Sequence, residues 1–216
     1  MRKISIRTAE NLYWIGRYLE RFTLLAKEST KAFDEIIDIN KDAGKELCEK
    51  LQYFIEYENA TDFFYKISKE NESVNLLSIL KAARENTIES RDVLSDDLFM
   101  PVNVAYLKLK EKEKPTVKFI DNLALELNSF WGTIFVRMMK NKPHSIIEFG
   151  QIVERMDFKL RLFEDISMIQ LDLNRLNATG RYINAEFENI NITHSNVPKA
   201  IERINNAIGE IIKYES

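Results

Sequence analysis

Apolar residues return at one helical period through almost the whole chain. From Leu12 they recur at Ile15, Leu19, Phe22, Ala26 and Phe33, the three-and-four spacing that lines one side of an α-helix. Thr8 ahead of this stripe reads as an N-cap, with Glu10 in the first turn, where the helix dipole favours negative charge. The spacing predicts a first helix over roughly 9–38. A second stripe, roughly 42–58, carries Leu47, Leu51, Phe54 and Ile55, and a short helix is expected around Phe63 to Ile67. Ser73 caps a predicted helix over roughly 74–93. Ser95, Asp96 and Asp97 open another, in which Pro101 predicts a kink or a delayed start.

The charged run Lys108 to Pro115 reads as a linker. A helix over roughly 117–141 follows, ending near Asn141 and Pro143. Ser145 and Glu148 have the spacing of a capping box, opening a helix over roughly 146–177. Asn177 to Gly180 should break it, with a short helix around Ala185. Pro198 suits the first turn of a last helix over roughly 197–214. No convincing period-2 stretch and no Asn-Gly or Asp-Gly hairpin signal appears. The fold class is therefore all-α, a single helical bundle over residues 1–216 built on long helices.

Two of the long helices share a kernel. Gly16-Arg-Tyr-Leu-Glu20-Arg21 aligns with Gly150-Gln-Ile-Val-Glu154-Arg155, and Lys27 falls opposite Arg161. The match suggests an internal duplication with halves of about 1–110 and 116–216. A glycine inside a helix costs about 0.5–1 kcal/mol relative to alanine. Close approach of a second backbone is the usual reason for one. Helix one and the helix after Ser145 are thus expected to touch at Gly16 or Gly150. The Glu-Arg pairs have two readings. They form a structural ion-pair network holding two helices in register, or a carboxylate beside a guanidinium ready for acid/base work or anion binding.

Composition narrows the chemistry by exclusion. With 31 basic against 34 acidic residues, the net charge of −3 gives no electrostatic footprint for nucleic acid. The 6 glycines and 4 prolines among 216 residues are few for an all-β chain. The single cysteine, Cys48, excludes an internal disulfide framework and a cysteine-based zinc site. Arg2, Lys3 and Arg7 make the start basic, but no apolar signal region follows. The densest apolar stretch, Phe130 to Met139, is far short of a membrane span. A soluble, cytoplasmic protein is expected. His144 and His194 lie outside any Glu-x-x-His spacing, so a di-iron carboxylate site lacks its nitrogen ligands. His144 reads as a loop residue, and no metal or other cofactor is expected. Phosphate-loop and Gly-x-Ser-x-Gly motifs are absent. Trp14 and Trp131 sit on helical stripes and read as core.

Glu10-Asn-Leu-Tyr-Trp-Ile-Gly-Arg-Tyr-Leu-Glu20-Arg21 closely resembles the opening motif of the bacterial alpha-E domain family. Ala83-Arg-Glu-Asn86, Arg91-Asp92 and Ser95 are similar to the family's middle signature, and Gly150 to Arg161 to its late Glu-Arg segment. The resemblance spans roughly residues 1–213. After Ser95, Asp97 and Phe99 stand where the family's Ser-x-Glu-x-Trp has Glu and Trp, so Asp97 is not taken as a fixed catalytic acid. The resemblance implies a setting beside ATP-grasp enzymes and transglutaminase-like proteins, in amide-forming peptide synthesis or modification. One reading is a noncatalytic helical partner of an ATP-grasp amide ligase or of a tagged peptide. The other is an enzyme of the same pathway, with Glu20, Glu85 or Glu154 as general base. Arg17, Arg21, Arg84, Arg91 and Arg155 are the candidate binding groups for an acidic peptide, a carboxylate or a phosphate. Both Glu-Arg kernels are expected to converge with Arg84, Glu85, Arg91 and Asp92.

Overall fold

The computed structural model describes residues 4–137, 141–192 and 196–212. Arg2, Lys3, Met139 and His194 lie outside them. No strand occurs among the described residues, and none of their helices is long and apolar enough to cross a membrane. The first stripe folds as α1, Ile6–Asp38. Its N-cap is Ser5 and not Thr8: Ser5 Oγ accepts the Thr8 amide at 3.1 Å, which moves Thr8 into the first turn.

The second helix, α2 (Ala43–Lys50), is far shorter than its apolar stripe suggested. The Tyr53 amide donates to the Cys48 carbonyl at 2.7 Å and the Gln52 amide to Glu49 at 2.9 Å. Gln52, at φ 63°, takes the left-handed conformation that this closing motif requires. Next comes α3 (Ala60–Tyr65), running into a π-helical turn, Lys66–Glu70. Asn75, not Ser73, caps α4 (Leu76–Glu89), in a reciprocal box with Ser78.

Pro101 does not interrupt α5 (Asp96–Glu111). Leu98, Val102, Ala105 and Leu109 form a fully buried stripe on both sides of it, and this packing outweighs the one backbone hydrogen bond that proline gives up. The same stripe draws Lys108 to Glu111 into the helix, which leaves only 112–116 to link α5 to α6 (Val117–Arg137).

Asn141 caps α7 (Lys142–Phe163), with Pro143 in its first turn. Ser145 is therefore already inside the helix, and its hydroxyl donates back to the Asn141 carbonyl. His144, expected in a loop, is buried in the same turn. The predicted helix over 146–177 is divided where Glu164 turns left-handed at φ 52°. Asp165 then caps a 3₁₀ turn, Ile166–Ile169, ahead of α8 (Gln170–Ile183). Asn177 to Gly180 lie inside α8, and Ala185 lies in a turn. The last helix, α9 (Val197–Ile212), has Pro198 in its first turn as expected.

The bundle is organised around α1, which packs along α7 and also touches α2, α3, α4, α6 and α9. Leu12, Ile15, Leu19, Phe22 and Leu25 of α1 are fully buried, as are Ile147, Ile152, Val153 and Met156 of α7. One kernel from each half of the chain thus meets the other at the centre of the molecule.

Candidate functional site

The two glycines fix how closely α1 and α7 approach. A Cβ on Gly16 would lie 1.9 Å from the Ile147 carbonyl oxygen, and one on Gly150 would lie 2.1 Å from the Tyr13 carbonyl oxygen. The contacts are reciprocal. The offset that places Gly16 on Gly150 also places Tyr13 on Ile147 and Arg17 on Gln151. The backbones therefore meet in a local two-fold exchange, and no other side chain fits at the contact.

That exchange also crosses the charged residues. Arg21 donates to both oxygens of Glu154, Nε to Oε1 at 2.5 Å and Nη2 to Oε2 at 2.9 Å. Arg155 Nε donates to Glu20 Oε1 at 2.7 Å. A second pair of donors follows the same rule: Arg17 Nε donates to Glu154 Oε2 at 2.6 Å, and Gln151 Nε2 to Glu20 Oε2 at 2.9 Å. All four carboxylate oxygens are engaged, on side chains only 8% and 2% exposed for Glu20 and Glu154. Burial alone would lower the Arg17 and Arg21 pKa values, but the Glu154 charge more than reverses this and both end above the ordinary arginine value. Arg155 is raised in the same way, burial being outweighed by Glu20 and Asp172. Trp14 covers this centre and is not core. It is 36% exposed, stacks on Tyr18, and its ring lies 5.2 Å from the Arg17 guanidinium.

Outside the exchange the two sides differ. Beyond Glu20, Arg155 approaches Asp172 at 3.6 Å and Lys159 donates to it at 2.8 Å. Beyond Glu154, Arg17 Nη1 donates to Asn205 Oδ1 of α9 at 2.5 Å, and Asn205 passes its own amide hydrogen to Asp157. Arg161 grips Asp157 side-on at 2.9 and 3.3 Å. Here a pocket of about 320 Å³ opens, lined by Arg17, Arg21, Tyr53, Asp157, Arg161 and Asn205. Leu51 and Phe158 form its apolar wall. Burial raises the Tyr53 pKa, opposed by the Arg21 and Arg161 charges.

The middle signature makes its contacts elsewhere. Arg84 donates to Asn103 of α5 at 2.7 Å and lies over the Tyr106 ring, while Arg91 sits 4.1 Å from the Phe99 ring. Glu85 is exposed and faces Lys81 at 3.9 Å, and Asp92 is exposed. Of the candidates, Glu20, Glu154, Arg17, Arg21 and Arg155 are brought together; Arg84, Glu85 and Arg91 contact their own helix or α5 instead. Gln151, Asp157, Arg161, Asn205 and Tyr53 complete the centre without having been singled out as its members. The kernel alignment could have supplied Gln151, opposite Arg17, and the i, i+4 spacing could have paired Asp157 with Arg161. Among the described residues, no three His, Cys, Asp or Glu side chains gather as a metal site.

A family model described as a predicted alpha-helical domain with a conserved ER motif matches residues 4–186. Both kernels and the middle signature fall within that span. No curated protein and no solved structure matches the chain.

Proposed function

The chain belongs to the Alpha-E family, and from that premise we propose that it is a noncatalytic helical partner of an ATP-grasp-type amide ligase, acting in the bacterial cytoplasm in peptide synthesis or modification. The observation that carries this reading is the engagement of all four carboxylate oxygens of Glu20 and Glu154. A general base needs an oxygen within hydrogen-bond reach of a substrate proton. Both glutamates are nearly buried, and each turns its two oxygens onto donors of the opposing helix, which aims them at the helix contact and not at a substrate. Glu85 is exposed beside Lys81, away from the α1–α7 centre and its arginines. The crossed pairs then serve the register of α1 on α7, a use to which buried ion pairs are suited.

The partner class comes from the family setting, with a transglutaminase-like protein in the same system and an acidic peptide or carboxylate as the ligand chemistry. The test is affinity capture of the tagged chain from its own host with ATP present, followed by ATP-turnover assays of the purified pair. An ATP-grasp protein should be enriched, and its ATP turnover should change on adding the chain. Capture without any ATP-grasp protein, or unchanged turnover in the reconstituted pair, refutes the reading.

A further inference from the structure

We infer that the pocket beside Glu154 binds one carboxylate group of a short ligand, held by Arg21, Arg161 and the Tyr53 hydroxyl. The inference deepens the carboxylate-ligand part of the proposal above and does not depend on the ligase. Its basis is what the ion pairs leave unused. Arg21 and Arg161 both pair side-on, through Nε and Nη2, with Glu154 and Asp157. Side-on pairing leaves each Nη1 group without an acceptor among the described residues, although a guanidinium carries five donors. Both arginines line the pocket, so donors remain there for a bound anion.

Charge selects the ligand class. Three arginines and two carboxylates line the pocket, an excess of one positive charge. A carboxylate neutralises that excess. A phosphate dianion overshoots it and faces Glu154 and Asp157 at close range, where like charges repel. Size agrees: about 320 Å³ lies at the small end of ligand pockets. Leu51 and Phe158 offer an apolar wall for the few carbons behind the carboxylate.

The local backbone is also arranged for it. Gln52 adopts φ 63° at the end of α2, uncommon for a residue other than glycine. That turn places Tyr53 at the pocket, where its hydroxyl has no hydrogen-bond partner among the described residues. The Asn205 bridge between Arg17 and Asp157 ties α9 to the same wall, so the pocket is held by four separate stretches of chain.

The probe is N-acetylglycine, a one-charge carboxylate on a short peptide unit, against the neutral N-acetylglycinamide and inorganic phosphate at matched ionic strength. The readout is the arginine side-chain NMR spectrum of the whole chain. N-acetylglycine should shift the Arg21 and Arg161 resonances saturably and the amide should not. Tyr53→Phe should weaken binding roughly tenfold, the worth of a hydrogen bond to a charged group. Arg161→Gln should abolish it; if that variant does not fold, Tyr53→Phe decides alone. The inference is overturned if N-acetylglycine gives no saturable shift, if Tyr53→Phe binds like the parent, or if phosphate binds more tightly than the acid. Any of these leaves the ligase reading standing, since co-purification is measured separately.

Discussion

Glu20 and Glu154 occupy equivalent places in the two kernels, yet their surroundings are unequal. Glu154 holds two guanidinium groups, whereas Glu20 holds one and the neutral amide of Gln151. Losing Arg21 leaves Glu154 paired with Arg17. Losing Arg155 leaves a nearly buried charge with no cation bonded to it. Arg155→Met should therefore cost about 2–3 kcal/mol, below the fully buried limit because the arginine is partly exposed, and Arg21→Met about 1 kcal/mol. Urea titrations at neutral pH measure both, and equal losses contradict the asymmetry. The kernel residues were legible in the sequence because the motif occurs twice, and each copy points to the other. Asn205 and Tyr53 carried no such mark. They reach the centre only through the packing of α9 and the turn after α2, which no local pattern encodes.

The spacing of α1 and α7 is set by the glycine exchange, and the same substitution should act oppositely elsewhere. Gly16→Ala and Gly150→Ala place a methyl group inside a backbone carbonyl contact and should each destabilise by at least about 1–3 kcal/mol. Once one has forced the helices apart, the second meets a gap already opened, so the double variant should lose less than the sum. Gly132 on α6 has nothing within 4 Å of an added Cβ. Gly132→Ala should stabilise by about 0.5–1 kcal/mol. Thermal and urea unfolding of the four proteins checks the signs and the non-additivity. Helix interiors were readable from their stripes, but helix ends were not. Ser145 has a capping sequence and lies inside α7, because Asn141 and Pro143 had already started the helix. Pro101 is a breaker by local chemistry, and a buried stripe on both sides of it overrides that.

Across the molecule as a whole, pH reaches stability through buried groups that ionise only in alkali. Burial pushes the Cys48 thiol up to about 12 from an ordinary 9.0, and burial raises Tyr13 and Tyr53 above 10.0. The unfolded chain loses the thiol proton from about pH 9, while the folded chain keeps it until about pH 12. The contribution is complete below pH 9 and declines above it, by up to about 1.4 kcal/mol per pH unit for each such group. Cys48→Ala should have a lower urea midpoint at neutral pH, through the cavity it leaves, yet a flatter decline between about pH 9 and pH 10. A decline as steep as the parent's contradicts the assignment to Cys48. The all-α class and the central pairing of long helices were legible because they depend on summed periodicity. The order of neighbours around α1 was not, since each apolar stripe is complementary to many others.

The crossed pairs join residues 133 and 135 positions apart in the chain. At a synthesis rate of about 5–20 residues per second, α1 leaves the ribosome on the order of ten seconds before the α7 kernel exists to receive it. Through that interval, although α2, α3 and α4 have already been made, the side of α1 that will meet α7 has no final partner. Arg17, Glu20 and Arg21 lie along it and keep it hydrated, because desolvating them without their counterparts is costly. The lock that holds the finished protein also guards the nascent one, delaying closure until the second copy of the motif has been made.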